Sequence, residues 1–391
     1  MRPLRIVPGS PVAGEAVGAV LTRDVIVGGE RWSKGRRLSA SDVSRIADPA
    51  TGADLGARGR EPGAAPGFTA LILDPDEAHE DEAAALLARA VAGAGVQLRG
   101  PVESRVDLVA SADGVLHVRT ADLERLDRID PLQVFTLYDG QAVHAGDVVA
   151  SVKIGPHAVS RAVLRRGLGL VERGGPLVRV APFVSRRVAT VVKESVRPLA
   201  RERFERGIAA RVGSLGSGLA GIGYVADDPD AVEAALRPLV RGSRRVDVIL
   251  TAGAASTDPT DPFFVAIDRL GGRVVRHGVP AHPGSMVWLA RIGATDLLGL
   301  PTCGAYSKAT AADLLLPRLL TGERASARMA ASLGHGGVLV RAMRFRFPVY
   351  VRELDAPEAG PAGSPGHRPA SGRIDGGAPD SWPGRHREAQ A

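Results

Sequence analysis

Asp247-Val248-Ile249-Leu250-Thr251-Ala252-Gly253-Ala254-Ala255-Ser256-Thr257-Asp258-Pro259-Thr260-Asp261-Pro262, residues 247–262, is the stretch on which the fold turns. From Val246 to Thr251 the chain is apolar apart from Asp247 and Thr251, the pattern of a parallel strand buried on both faces. Asp261-Pro262 then sets a carboxylate N-cap before a proline at the first helical position, opening a helix that Gly271-Gly272 stops after Leu270. Between strand and helix lies a turn of small residues, where backbone can approach a ligand and the first helical amides favour an anion.

Working outward, the alternation continues. Strands are expected at 188–192, 222–225, 273–279 and 296–300, and helices at 198–212, 229–239 (behind the Asp228-Pro229 cap) and 309–320, the last interrupted by Pro317. Strand, helix, strand in series implies an α/β domain with a mostly parallel sheet over residues 185–345. Residues 1–180 read differently, as a β-rich α+β region. Short strands and glycine turns surround a capped helix near Asp42–Ile46, an acidic-headed helix from Glu77 to Ala92, and a helix over 157–170. Residues 47–66 lack periodicity and read as a connection, and 356–391 as a disordered tail rich in Pro, Gly, Ser and Arg.

With 45% hydrophobic but only 4% aromatic residues, the cores must be built from Ala, Val, Leu and Ile. The formal charge is +7, yet the lysines are only Lys34, Lys153, Lys193 and Lys308, and the arginines are scattered among acids. That distribution argues against a nucleic-acid partner, which needs a clustered basic face. Cys303 is the sole cysteine, so neither an intrachain disulfide nor a thiolate metal cage can form. No apolar run approaches a membrane span and no signal-type start is seen, so a cytoplasmic location without membrane attachment is expected.

Two further loops belong with the first. Ala281-His282-Pro283-Gly284-Ser285 follows one strand, and Gly299-Leu300-Pro301-Thr302-Cys303-Gly304-Ala305-Tyr306-Ser307-Lys308 follows another. Ligands of open α/β sheets sit at such carboxyl edges. Together with the upstream YVADDPDAV at 224–232, these three loops resemble the molybdopterin-binding domain shared by molybdopterin molybdenumtransferases and adenylyltransferases, over about 160 residues. In that family the loops read Thr-x-Gly-Gly-x-Ser-x-Gly-x-x-Asp, Pro-Gly-Lys-Pro and Gly-Leu-Pro-Gly-Asn-Pro. The segment GAVLTRDVIVGGERWSKGRRLSASDV, residues 18–43, resembles the molybdenumtransferase amino terminus. The whole layout is similar to bacterial proteins whose molybdopterin-binding half precedes a nucleotidyltransferase half, which this sequence lacks.

The resemblance implies a three-layer fold and a bound molybdopterin, the pterin-dithiolene phosphate of the molybdenum cofactor, free or adenylylated. It assigns cofactor contacts to Thr251, Gly253, Ala254, Ser256 and Asp261 in the first loop, to Pro283, Gly284 and Ser285 in the second, and to Pro301, Gly304, Ser307 and Lys308 in the third. Asp261 would also match the family's acidic residue near the pyrophosphate chemistry, a catalytic residue that could help hold a divalent cation such as Mg²⁺. The sequence departs from the pattern at Ala254, Asp258, Ser285 and Thr302-Cys303, and Val192-Lys193-Glu194-Ser195 stands where the family has Thr-Gly-Asp-Glu. These departures bear harder on catalysis than on binding. Three roles follow: a transferase in molybdenum-cofactor biosynthesis or transfer, a carrier serving a molybdoenzyme or nucleotidyltransferase, or an interaction protein with a degenerate site, with a homo-oligomer left open. Lys193 and Lys308 can reach a phosphate oxygen, or be ordinary solvated lysines. His277 and His282 read as surface or core histidines rather than a metal pair, Cys303 as a small buried hydrophobe, and Trp288 as packing.

Overall fold

The computed structural model describes residues 1–12, 14–51, 53–54, 67–193, 198–301 and 309–351. Within the first 72 residues, Arg2–Ile6, Phe68–Ile72 and Val20–Leu21 form one antiparallel sheet, and Val25–Val27, Glu30–Trp32 and Ala53–Asp54 a second. The helix Ala40–Ala47 is held by a full capping box, in which Ser39 and Asp42 satisfy each other's backbone amides. Trp32, Ile46 and Phe68 fill this core.

The next region packs α1 (Glu80–Val91) on a four-stranded antiparallel sheet spanning 96–154, beside β1 (Gly114–Val118), α2 (Arg161–Gly174) and β2 (Val178–Pro182). Two expectations are corrected here. Glu77–His79 is a strand paired with Ala158–Ser160, and α1 begins only at Glu80, because the His79 ring takes the N-cap place and accepts from the Asp81 amide. Ser160 likewise caps α2, which runs from Arg161 rather than residue 157.

From Arg187 the alternation appears as read. The order is β3 (Arg187–Val192), α3 (Pro198–Gly213), β4 (Gly218–Tyr224), α4 (Pro229–Val240), β5 (Val248–Ala252), α5 (Pro262–Arg269), β6 (Arg273–Arg276), β7 (Trp288–Ile292), β8 (Thr295–Gly299), α6 (Ala312–Leu320) and α7 (Ala327–Ala331). The sheet order is β4-β3-β5-β8-β7-β6, with β4, β3, β5 and β8 parallel and β7 antiparallel to both its neighbours. The sheet is the middle of three layers. Leu250, Leu289 and Leu298 face α3 and α6, while Ile249, Trp288, Ala290 and Leu297 face α4 and α5, so a sequence with little alternation is buried on both sides.

β7 was not expected as a strand. Its Trp288 indole sits against Gly299, where a Cβ would come within 2.1 Å of the ring, so that glycine serves packing. α6 continues through Pro317 rather than breaking there, and begins at Ala312. Strand β6 ends at Arg276, and β4 starts four residues earlier than read. Among the described residues no helix is long and apolar enough to cross a membrane. Residues 356–391, read as a tail, lie outside the described residues.

Candidate functional site

β3, β4, β5 and β8 end on one rim because they run parallel, and β6 ends there too because β7 reverses the direction between it and β8. The connection after β5 and the one after β8 start side by side, since Leu300 N–H donates to Thr251 O at 2.8 Å. The loop between β6 and β7 closes on the opening of α6, where Ala311 N–H donates to Pro283 O at 3.0 Å. Gly284, at φ 108°, makes that approach possible: a Cβ there would stand 2.6 Å from the Ala311 nitrogen. His282 fixes the other side of this loop, its amide donating to Gly337 O and its carbonyl accepting from Leu339 N–H. Ser285 is exposed at the loop's tip.

In the first connection, Gly253 turns the chain at φ 90° and Asp261 organises the rest. Its Oδ1 accepts from Phe263 N–H at 2.9 Å, the N-cap of α5, and its Oδ2 accepts from Ala255 N–H at 2.7 Å. The same Oδ2 lies 2.7 Å from Lys193 Nζ, which also reaches Asp227 Oδ1 at 2.7 Å. Lys193 follows β3, and its amide donates to Ala252 O, so the side chain runs under the turn. The Lys193 side chain is only 4% exposed and Asp261 1%, while Asp227 is 69% exposed and opens the cluster to solvent. Burial works against the Lys193 ammonium, but Asp227 and Asp261 outweigh it and hold its pKa above the ordinary lysine value. Asp258 is pulled below the usual carboxylate range by the Thr260 hydroxyl and amide.

The residues assigned from sequence therefore divide. Gly253, Ala254 and Ser256 lie partly exposed along the first turn. Pro283 and Gly284 form the second loop, and Pro301 is buried at the start of the third. Thr251 is fully buried in β5. Its hydroxyl has no partner among the described residues. Gly304, Ser307 and Lys308, with Thr302 and Cys303, lie outside the described residues. His277 packs edge-on against Phe264 at 4.8 Å, and His282 is a backbone anchor. Sequence reasoning left the pairing of Lys193 with Asp227 unassigned. The only signal was a lysine at the carboxyl end of a strand in a chain with almost none.

A divalent cation does not fit this donor set. Both oxygens of Asp261 are occupied by two amides and an ammonium, and no group of three His, Cys, Asp or Glu side chains suited to a metal occurs among the described residues. On this geometry the Asp261 carboxylate positions the turn, with Lys193 standing where a cation would.

Residues 187–321 match the family model described as a probable molybdopterin binding domain. This segment is similar to that domain family. The molybdopterin-binding-type domain thus spans β3 through the end of α6. The chain is also similar to the solved molybdopterin biosynthesis moea protein from Pyrococcus horikosii, at 16% identity over 63% of this chain and 81% of that one, with a TM-score of 0.27. It is similar to molybdenum cofactor biosynthesis protein B at 18% identity over 36% and 96%, with a TM-score of 0.28. No curated protein matches.

Proposed function

We propose that this rim binds molybdopterin and that the chain takes part in molybdenum-cofactor biosynthesis or transfer. The observation that carries this reading is the meeting of three short connections on one rim of a domain similar to the molybdopterin-binding family. Around the first turn the described side chains are more acidic than basic, with Asp227, Asp258 and Asp261 against Lys193. Side-chain charge there suits the N–H donors of a pterin ring, whose paired amine and ring N–H match a carboxylate. Because Lys193 already neutralises Asp261, binding needs no added divalent cation.

Between transferase and carrier, the departures at the first loop and the loss of a free Asp261 carboxylate favour the carrier. The test is to oxidise purified protein from cells that make molybdopterin and to measure the released pterin fluorescence, with and without a chelator during purification. Pterin retained equally in both supports the reading; protein without pterin in either preparation overturns it.

A further inference from the structure

The geometry points to a second ligand site, for a phosphorylated small molecule, in an arginine-lined cavity between β1–β2 and the helices α6 and α7. The cavity holds about 310 Å³, within the range of pockets that bury a small ligand. It is remote from the rim described above. α6 begins against Pro283 on the carboxyl edge of the sheet and ends where Leu320 O accepts from Val184 N–H, just before β3. Its nine residues separate the two places by roughly 13 Å at 1.5 Å per residue.

Two of the lining arginines are fixed and two are free. Arg318, 8% exposed, makes a two-pronged pair with Glu323 at 2.7 and 2.8 Å and donates to Ser332 Oγ. Arg119 is tied to Asp122 and to the carbonyls of Gly174 and Gly175, closing the end of α2. Arg179 and Arg328, exposed at the mouth, make no ion pair among the described residues. His117 and Arg179 are directly opposed across the β1–β2 ladder, so both side chains share the face turned to α6 and α7.

The His117 Nε2 is buried and has no hydrogen-bond partner among the described residues. Burial first, and then the nearby Arg179 charge, hold the imidazole below its ordinary value. Around it stand Arg119, Arg179, Arg318 and Arg328 against Asp139 and Glu323, an excess of positive charge in a partly closed space. Guanidinium groups with unused donors in such a space recognise phosphate oxygens in preference to a simple halide, because the planar fork matches two oxygens at once.

The experiment is calorimetric titration of the full chain with pyrophosphate and with AMP. Saturable binding of at least one is expected, and Arg179→Ala or Arg328→Ala should each weaken it by about tenfold, the loss of one charge-assisted contact. Tighter binding of AMP would assign a nucleoside phosphate, and equal binding a site that reads the phosphate group alone. The control is Arg165→Ala with Arg166→Ala on the exposed side of α2, which should bind as the unaltered chain does. Circular dichroism checks that each variant is folded. The proposal is overturned if neither compound binds, if the Arg179 and Arg328 variants bind unchanged, or if the control pair weakens binding as much as they do.

Discussion

Arg211–Asp313 and Lys193–Asp261 are both buried ion pairs in the molybdopterin-binding-type domain, but their surroundings differ. Arg211 on α3 meets Asp313 on α6 at 2.8 Å with both side chains almost wholly covered, and Asp313 also accepts from Tyr350 Oη and Thr310 N–H. Burial, with the Asp313 charge beside it, pushes the Tyr350 hydroxyl well above its usual pKa, so it stays protonated and donating. That cluster is sealed and ties two helices of one layer. The Lys193 cluster has the same chemistry on the rim, with one carboxylate, Asp227, left in solvent. A sealed cluster can only stabilise or specify the fold, whereas an open one can exchange a partner for a ligand.

Arg211→Ala would strain this contrast most. It strands the Asp313 carboxylate in the core and should cost about 3–5 kcal/mol, read as a lower urea midpoint. A loss under about 1 kcal/mol would mean that the sealed pair is as dispensable as a surface one. Lys193→Ala should cost somewhat less, about 3 kcal/mol, because Asp227 can turn to water, and retained pterin should fall with it. The same variant leaves Asp227 and Asp261 without their cation, so Mn²⁺ binding measured by electron spin resonance should appear in the variant only. Equal Mn²⁺ binding by both proteins would show that Lys193 does not stand in for a metal.

Gly284→Ala probes the contact between loops rather than the charge. It forces a side chain against Ala311 at a positive φ, so stability should drop by about 2 kcal/mol and pterin retention should suffer, with the Arg211 cluster untouched. The alkaline limb of stability gives a smaller signal. Lys193 has a higher pKa folded than its ordinary 10.5, so its contribution is complete below 10.5 and fades as pH rises through the raised folded value. The stability gap between the unaltered chain and Lys193→Met should narrow over that interval, and a constant gap would contradict the shift. Smallest of all, Asp227→Asn should change stability by less than about 1 kcal/mol, since the carboxylate is exposed. It should still lower pterin retention if that carboxylate meets the ring.

How much of this was legible shows in particular residues. Asp228-Pro229 and Asp261-Pro262 announced the starts of α4 and α5 because a cap needs only its own neighbours. His79 hid the start of α1, since an imidazole cap and a three-residue ladder with Ala158–Ser160 depend on a segment far along the chain. β7 was missed for the same reason. WLARI carries no turn signal of its own and becomes a strand by pairing between β6 and β8, with Trp288 seated on Gly299.

Local composition thus determined the strand–helix alternation, the small-residue turn at 253–261 and the placing of three loops at strand ends, all set by interactions within a few residues. Tertiary structure alone decided that Lys193 would lie under the turn, that Asp261 would spend both oxygens on it and on amides, and that His117 would share a cavity with arginines from α6 and α7. The physical reason is range: caps and strand patterns are short-range, whereas the partner of a buried charge is chosen by whichever distant element packing brings within reach.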